Sequence, residues 1–124
     1  MKYSVTKVFE FAAAHYLTDY DGPCSRMHGH TYKLEITVGR LELQDGMVMD
    51  FGQLKSIVNE KIIDKLDHQM LNDRLSFRTT AENMSVWIWG ELRKGLRALG
   101  LGPPVYMRKV KLWETPTSFA EVTQ

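Results

Sequence analysis

The sequence holds a single cysteine, Cys24, among 124 residues. An internal disulfide is therefore excluded, and a free thiol fits a reducing compartment. No apolar run approaches the length that crosses a bilayer, so no membrane span is expected. Residues Met1–Lys7 lack the apolar stretch of a secretory signal, and a cytoplasmic location is expected. Excess charge is missing too: 16 Lys and Arg stand against 15 Asp and Glu, for a net charge of +1. That balance gives no electrostatic case for a nucleic-acid or membrane partner. With no repeat, low-complexity tract or linker either, residues 1–124 read as one domain.

Histidine is scarce, four in all, yet His15, His28 and His30 fall within sixteen residues. Residues 2–15 read as a strand, with Val5, Phe9, Phe11, Ala13 and His15 on one parity. The breaker Gly22-Pro23 interrupts a polar loop over 16–27, and Cys24 follows it. Residues 28–41 alternate, with His28, His30, Tyr32, Leu34, Ile36 and Val38 on one face. Side chains two apart in a strand project together, so His28 and His30 can converge on one ion. One isolated histidine is more often a packed side chain. Three imidazoles brought together are the ligand set of a catalytic zinc site with an open position. Zinc is favoured over iron because no carboxylate stands at a nearby spacing to complete a facial triad.

The rest of the chain supplies helices and a closing hairpin. Asp50 reads as an N-cap with Gln53 as its capping-box partner. Phe51, Leu54, Ile57, Val58, Ile62 and Leu66 continue a helix to about residue 66. Residues 69–79 read as a connection. Thr79-Thr80-Ala81-Glu82 reads as a second capping box, opening a helix through Met84, Ile88, Leu92, Leu96 and Leu99 that Gly100 ends. Residues 105–114 and 118–123 read as strands around Thr115-Pro116-Thr117. The order strand, strand, helix, helix, strand, strand predicts an α+β unit: a four-stranded antiparallel sheet with two helices on one face. Its open edges predict edge-to-edge pairing into a homo-oligomer.

Other polar residues carry weaker signals. Cys24 is either a small apolar filler, an acid/base group whose pKa a nearby cation lowers, or a fourth metal ligand that closes the site. Asp67-His68 ends the first helix; a histidine there suits the helix dipole, or it moves protons under the control of a carboxylate. Adjacent residues rarely pair directly, so the dipeptide alone decides nothing. Glu114 shares parity with Val110 and Leu112, which makes it a half-buried carboxylate able to take two N–H donors from a planar ring. Trp87 and Trp89 read as packing.

Taken in order, these pieces resemble one family. His15 ends an Ala-rich strand, and Cys24-x-x-x-His28-Gly29-His30 follows. Then come Val48-Met49-Asp50-Phe51-Gly52, Leu66-Asp67-His68-x-x-Leu71-Asn72, Thr80-Ala81-Glu82-Asn83 and Glu114-Thr115. The set is similar to the 6-pyruvoyltetrahydropterin synthase family along nearly the whole chain. The short Cys24–His28 spacing resembles its bacterial 6-carboxy-5,6,7,8-tetrahydropterin synthase branch, which acts in queuosine biosynthesis. The resemblance implies the tunnelling fold, with a barrel closed by oligomerisation into a trimer or a dimer of trimers. It also implies a zinc ion (Zn2+) on His15, His28 and His30. Cys24 would be the proton-abstracting base, Asp67 and His68 the relay, and Glu114 the anchor of a small-molecule pterin substrate. Thr80 and Glu82 match the segment that reaches the pterin from a neighbouring subunit. The activity implied is a lyase taking 7,8-dihydroneopterin triphosphate to 6-carboxy-5,6,7,8-tetrahydropterin, acetaldehyde and triphosphate. The alternatives are the pyruvoyl product from the same substrate, or a non-catalytic zinc module with Cys24 as its fourth ligand.

Overall fold

The computed structural model describes residues 1–124. Strand β1 spans Tyr3–His15 and β2 spans His28–Arg40. They pair antiparallel from Tyr3↔Arg40 to His15↔His28, so β1 and β2 enter and leave at the histidine end. A single 3-10 turn, Pro23–Ser25, sits in the loop between them. Helix α1 begins at Phe51–Val58, widens into a π-helical stretch Asn59–Ile63 and closes with Asp64–Leu66. Helix α2 is the single turn Leu71–Arg74 and α3 runs Ala81–Ala98. Strands β4, Tyr106–Thr115, and β5, Ser118–Thr123, form the closing hairpin.

The sheet has five strands rather than the four expected. Gln69–Met70 forms β3, which pairs parallel to β1 at Ala13 and Ala14, giving the order β3-β1-β2-β4-β5. Two residues carry no alternation, so this strand leaves no periodic trace in the sequence. Parallel pairing needs a crossover, and α1 supplies it. The remaining pairs are antiparallel, as the alternation predicts.

One face of the sheet is buried against α1 and α3. Tyr32, Leu34, Ile36 and Val38 on β2 are fully buried, together with Val110 and Leu112 on β4. The helices meet them with Leu54, Val58, Ile62, Leu66, Met84, Ile88 and Leu92. Each such aliphatic side chain contributes about 1.5–3 kcal/mol by leaving water. The opposite sheet face carries Thr6, Lys33 and Thr37, which remain in solvent or at its margin.

Caps fix where the helices begin. The Asp50 side chain accepts a hydrogen bond from the Gln53 amide at 3.0 Å. At α3 the cap is Thr80, whose hydroxyl accepts from the Asn83 amide at 3.1 Å, and not Thr79 as the Thr79–Glu82 spacing suggests. Thr79 is fully buried and turned inward. Gly100, with φ at 62°, supplies the left-handed residue that ends α3.

Asp50 is exposed, so its replacement tests the cap alone. Asp50→Ala should lower the unfolding free energy in urea by about 1 kcal/mol, and Asp50→Ser should retain most of it. An unchanged denaturation midpoint in Asp50→Ala would remove this cap from the account.

Candidate functional site

Register brings three histidines to one point. His15 ends β1 and His28 opens β2, directly opposite each other. His30 is two residues further along the same face of β2, across from Ala13. The ring centroids lie 4.6 Å (His15–His28), 4.8 Å (His28–His30) and 5.2 Å (His15–His30) apart. Glu114, near the end of β4, joins them: one ligand atom from each of the four lies within 4.8 Å of all the others. Its Oε1 is 3.2 Å from His15 Nε2 and 3.3 Å from His30 Nε2. The expectation that no carboxylate accompanies the histidines is therefore corrected. Glu114 is remote in sequence, but β4 pairs with β2 and delivers it.

Two histidines are oriented through their other ring nitrogen. His15 Nδ1 lies 2.9 Å from the Thr79 carbonyl and 3.1 Å from the Thr79 hydroxyl. His28 Nδ1 lies 2.7 Å from the Arg26 carbonyl. A carbonyl only accepts, so Nδ1 carries a proton in both rings. Nε2 of His15 and of His30 are buried and complete no hydrogen bond. Glu114 meets both at ion-pair distance.

The charges in this cluster are unbalanced as they stand. The His15 contact, with the charges of His30, His15 and His28, holds the Glu114 carboxyl below its usual range against the opposing effect of burial. Burial lowers the pKa of His30. An ionised carboxylate thus faces three imidazoles, and two of their Nε2 atoms are buried without a hydrogen-bond partner. A cation at the centre would satisfy all of them at once, and imidazole and carboxylate donors suit zinc, iron or nickel. The residues fit a metal ion, with backbone carbonyls already setting the tautomers as metal sites require.

The other expected residues are placed as follows. Cys24 is exposed on the Pro23–Ser25 turn, and its thiol is not among the converging ligand atoms. The closed site with Cys24 as fourth ligand is thus not what the structure builds. The Leu17 amide donates to the Cys24 carbonyl at 2.8 Å and closes the loop that carries it. Asp67 and His68 do pair directly, contrary to the expectation for neighbours. His68 adopts φ of 59°, which folds its Nδ1 back to 3.0 Å from Asp67 Oδ1. Asp67 Oδ1 also accepts from the Ala12 amide at 2.9 Å, and the His68 amide donates to the Ala12 carbonyl. The pair is thereby stapled to β1, and His68 and His30 line one open depression of about 590 Å³.

Thr80 is occupied as a helix cap. Glu82, in the first turn of α3, lines a depression of about 370 Å³ with Glu114 of the same chain. His30, Glu114, Lys33 and Trp113 line a larger one of about 630 Å³. Sequence reasoning missed Thr79 and Tyr32. Thr79 was obscured by reading it as a cap. Tyr32 stands two residues beyond His30 on the same face, a position that parity alone could have flagged. Its hydroxyl is buried without a partner, and burial foremost, then Glu114, pushes the phenol pKa well up.

The chain is similar to known proteins along most of its length. The family model described as 6-pyruvoyl tetrahydropterin synthase matches residues 4–124. The chain is 33% identical to 6-carboxy-5,6,7,8-tetrahydropterin synthase of Haemophilus influenzae, covering 96% of this chain and 97% of the relative. It is 38% identical to 6-pyruvoyl tetrahydrobiopterin synthase of Dictyostelium discoideum over 79% of this chain and 71% of the relative. The solved structure of Caenorhabditis elegans 6-pyruvoyl tetrahydropterin synthase superposes with a TM-score of 0.83 at 23% identity, covering 100% of this chain and 96% of that one. That likeness shows the fold to be the expected tunnelling fold.

Two outcomes follow from the geometry. His28→Ala should drop bound zinc far below one ion per chain after equilibrium dialysis while the circular dichroism spectrum is kept; full occupancy would refute the ligand set. The Ala12 amide, first among the causes, holds the Asp67 carboxyl below its usual value of 3.8, so Asp67 stabilises the fold above that pH and the contribution is lost as pH falls through the depressed value. Asp67 is about one-third exposed, so the effect stays below about 1 kcal/mol. Wild type should therefore exceed Asp67→Asn in stability near pH 7, and the difference should shrink as pH falls below 3.8. A constant difference would exclude the ionised form as the stabilising one.

Proposed function

Because the chain belongs to the 6-pyruvoyl tetrahydropterin synthase family, we propose that it is a zinc-dependent lyase acting on 7,8-dihydroneopterin triphosphate. With one water consumed, the products in this reading are 6-carboxy-5,6,7,8-tetrahydropterin, acetaldehyde and triphosphate, on the route to queuosine. One observation carries it: three imidazoles, two of them held through Nδ1 by a backbone carbonyl, converge with the Glu114 carboxylate at the mouth of the sheet. The near full-length similarity to the Haemophilus influenzae protein supports the carboxy branch. Residues 1–124 act as one domain in this reading.

His15, His28 and His30 would hold the zinc ion. Bound there, zinc supplies Lewis-acid polarisation of substrate side-chain oxygens and acidifies the neighbouring C–H. The Cys24 thiolate takes a proton from the substrate side chain. His68, oriented by Asp67, carries a second proton from the exposed side of the site. Glu114 turns from the imidazoles to the pterin and accepts two ring N–H donors. Thr80 and Glu82 of a neighbouring subunit would complete the pterin contact.

Assembly belongs to the same proposal. Only Ala13 and Ala14 of β1 pair with β3, so most of that edge is unpaired, and β5 has no neighbour beyond it. Free edges of this length favour pairing with other copies, which supports a trimer or a dimer of trimers. No helix is long and apolar enough to cross a membrane, and the proposed location is the cytoplasm.

A second reading is the pyruvoyl product, favoured by the similarity to the Dictyostelium discoideum protein. Mass spectrometry of products from zinc-loaded protein and 7,8-dihydroneopterin triphosphate separates the two. A carboxylated pterin with acetaldehyde is expected, and a pyruvoyl pterin would move the chain to the sister activity. Cys24→Ala should retain zinc yet lose turnover by about 100-fold or more, which is where the range for a positioned base begins. Near-normal turnover in that variant would take Cys24 out of the mechanism.

A further inference from the structure

Tyr32 is retained at a cost that its packing does not explain. The side chain is fully buried and its hydroxyl has no hydrogen-bond partner. A buried O–H without an acceptor carries an uncompensated desolvation penalty. Phenylalanine would fill the same volume, stacked on Phe11 at 4.9 Å between centroids, without that penalty.

Its position indicates what the hydroxyl is for. Tyr32 follows His28 and His30 on one strand face, edge-on to His30 at 5.5 Å and to His15 at 6.3 Å. In the β2–β4 register Leu34 faces Leu112 and Lys33 faces Trp113, the last pair of the ladder, and Tyr32 and Glu114 are the next residues on each strand. Tyr32 thus stands on the face that carries two unpartnered Nε2 atoms, and the Glu114 charge reaches its orphaned phenol.

We propose that Tyr32 is a positioning residue for Glu114: in the loaded site its O–H donates to the Glu114 carboxylate and holds it aimed at the pterin ring. The inference rests on the pterin reading above. A carboxylate offers about four acceptor positions, of which a ring N–H pair uses two. A donor from the opposite strand removes the remaining rotational freedom. Without it, Glu114 is free to fall back on His15 and His30, where it lies at 3.2 and 3.3 Å.

Fluorescence titration of zinc-loaded full-length protein with biopterin, which has no triphosphate to lose, tests the role. Tyr32→Phe should weaken biopterin binding about tenfold, the size of one hydrogen bond to a charged group. Zinc affinity, measured by chelator competition, should stay within about twofold, because Tyr32 is not a ligand. The metal-free melting temperature should hold or rise, since the unsatisfied group is gone. In a Glu114→Gln background the same change should alter biopterin affinity by less than about twofold, because the two act as a unit. Wild-type affinity in Tyr32→Phe, or an equal loss in both backgrounds, overturns the positioning role alone. Wild-type protein that does not bind biopterin overturns the pterin reading and this role together.

Discussion

Everything at the site depends on the antiparallel register of β1 on β2. Pairing His15 with His28 puts one imidazole on each strand at the same end of the sheet, on the same face. Strand parity is two, so a slip by one residue would turn His28 and His30 out to solvent and Tyr32, Leu34, Ile36 and Val38 with them. The apolar face thus guards the register on behalf of the polar cluster. A core of 25 buried residues and a four-residue polar site are selected by the same hydrogen-bond ladder.

The imidazoles also act as ties between segments that have no other reason to sit together. His15 holds Thr79, the residue just before the cap of α3, and His28 holds Arg26, two residues after Cys24. A positive ion on Nε2 makes Nδ1–H a stronger donor. The loop that carries the thiol and the helix start that carries Thr80 and Glu82 are both fastened through ligand rings. Asp67 and His68 are fastened differently, by backbone and side-chain bonds to Ala12.

Alternation and capping made most of this legible in the sequence. The parity of His15, His28 and His30 and the edges of β1, β2 and β5 follow from period-two patterning, which is strong in long strands with one buried face. Four features were not legible, each for a physical reason. Strand β3 is too short to have a period. The meeting of Glu114 with the histidines is a matter of cross-strand register, which residue spacing along the chain does not encode. The direct Asp67–His68 pair needs a left-handed backbone at His68, which the residue type permits but does not announce. The inward turn of Thr79 was hidden because two consecutive threonines compete for one cap.

Helix α1 contains a feature whose meaning is historical as much as mechanical. Val58, Ile62 and Leu66 are all fully buried and four residues apart. In a regular α-helix a column with that spacing drifts by about 40° per step. The π-helical stretch Asn59–Ile63 takes more residues per turn and cancels part of the drift. It has the form of a one-residue insertion absorbed inside a helix rather than in a loop. A chain lacking that residue would deliver Leu66 about 100° away around the axis, and Asp67 would miss the Ala12 amide. Length in this segment is therefore constrained more tightly than residue identity, and related chains should tolerate exchanges at 59–63 far better than single-residue gaps.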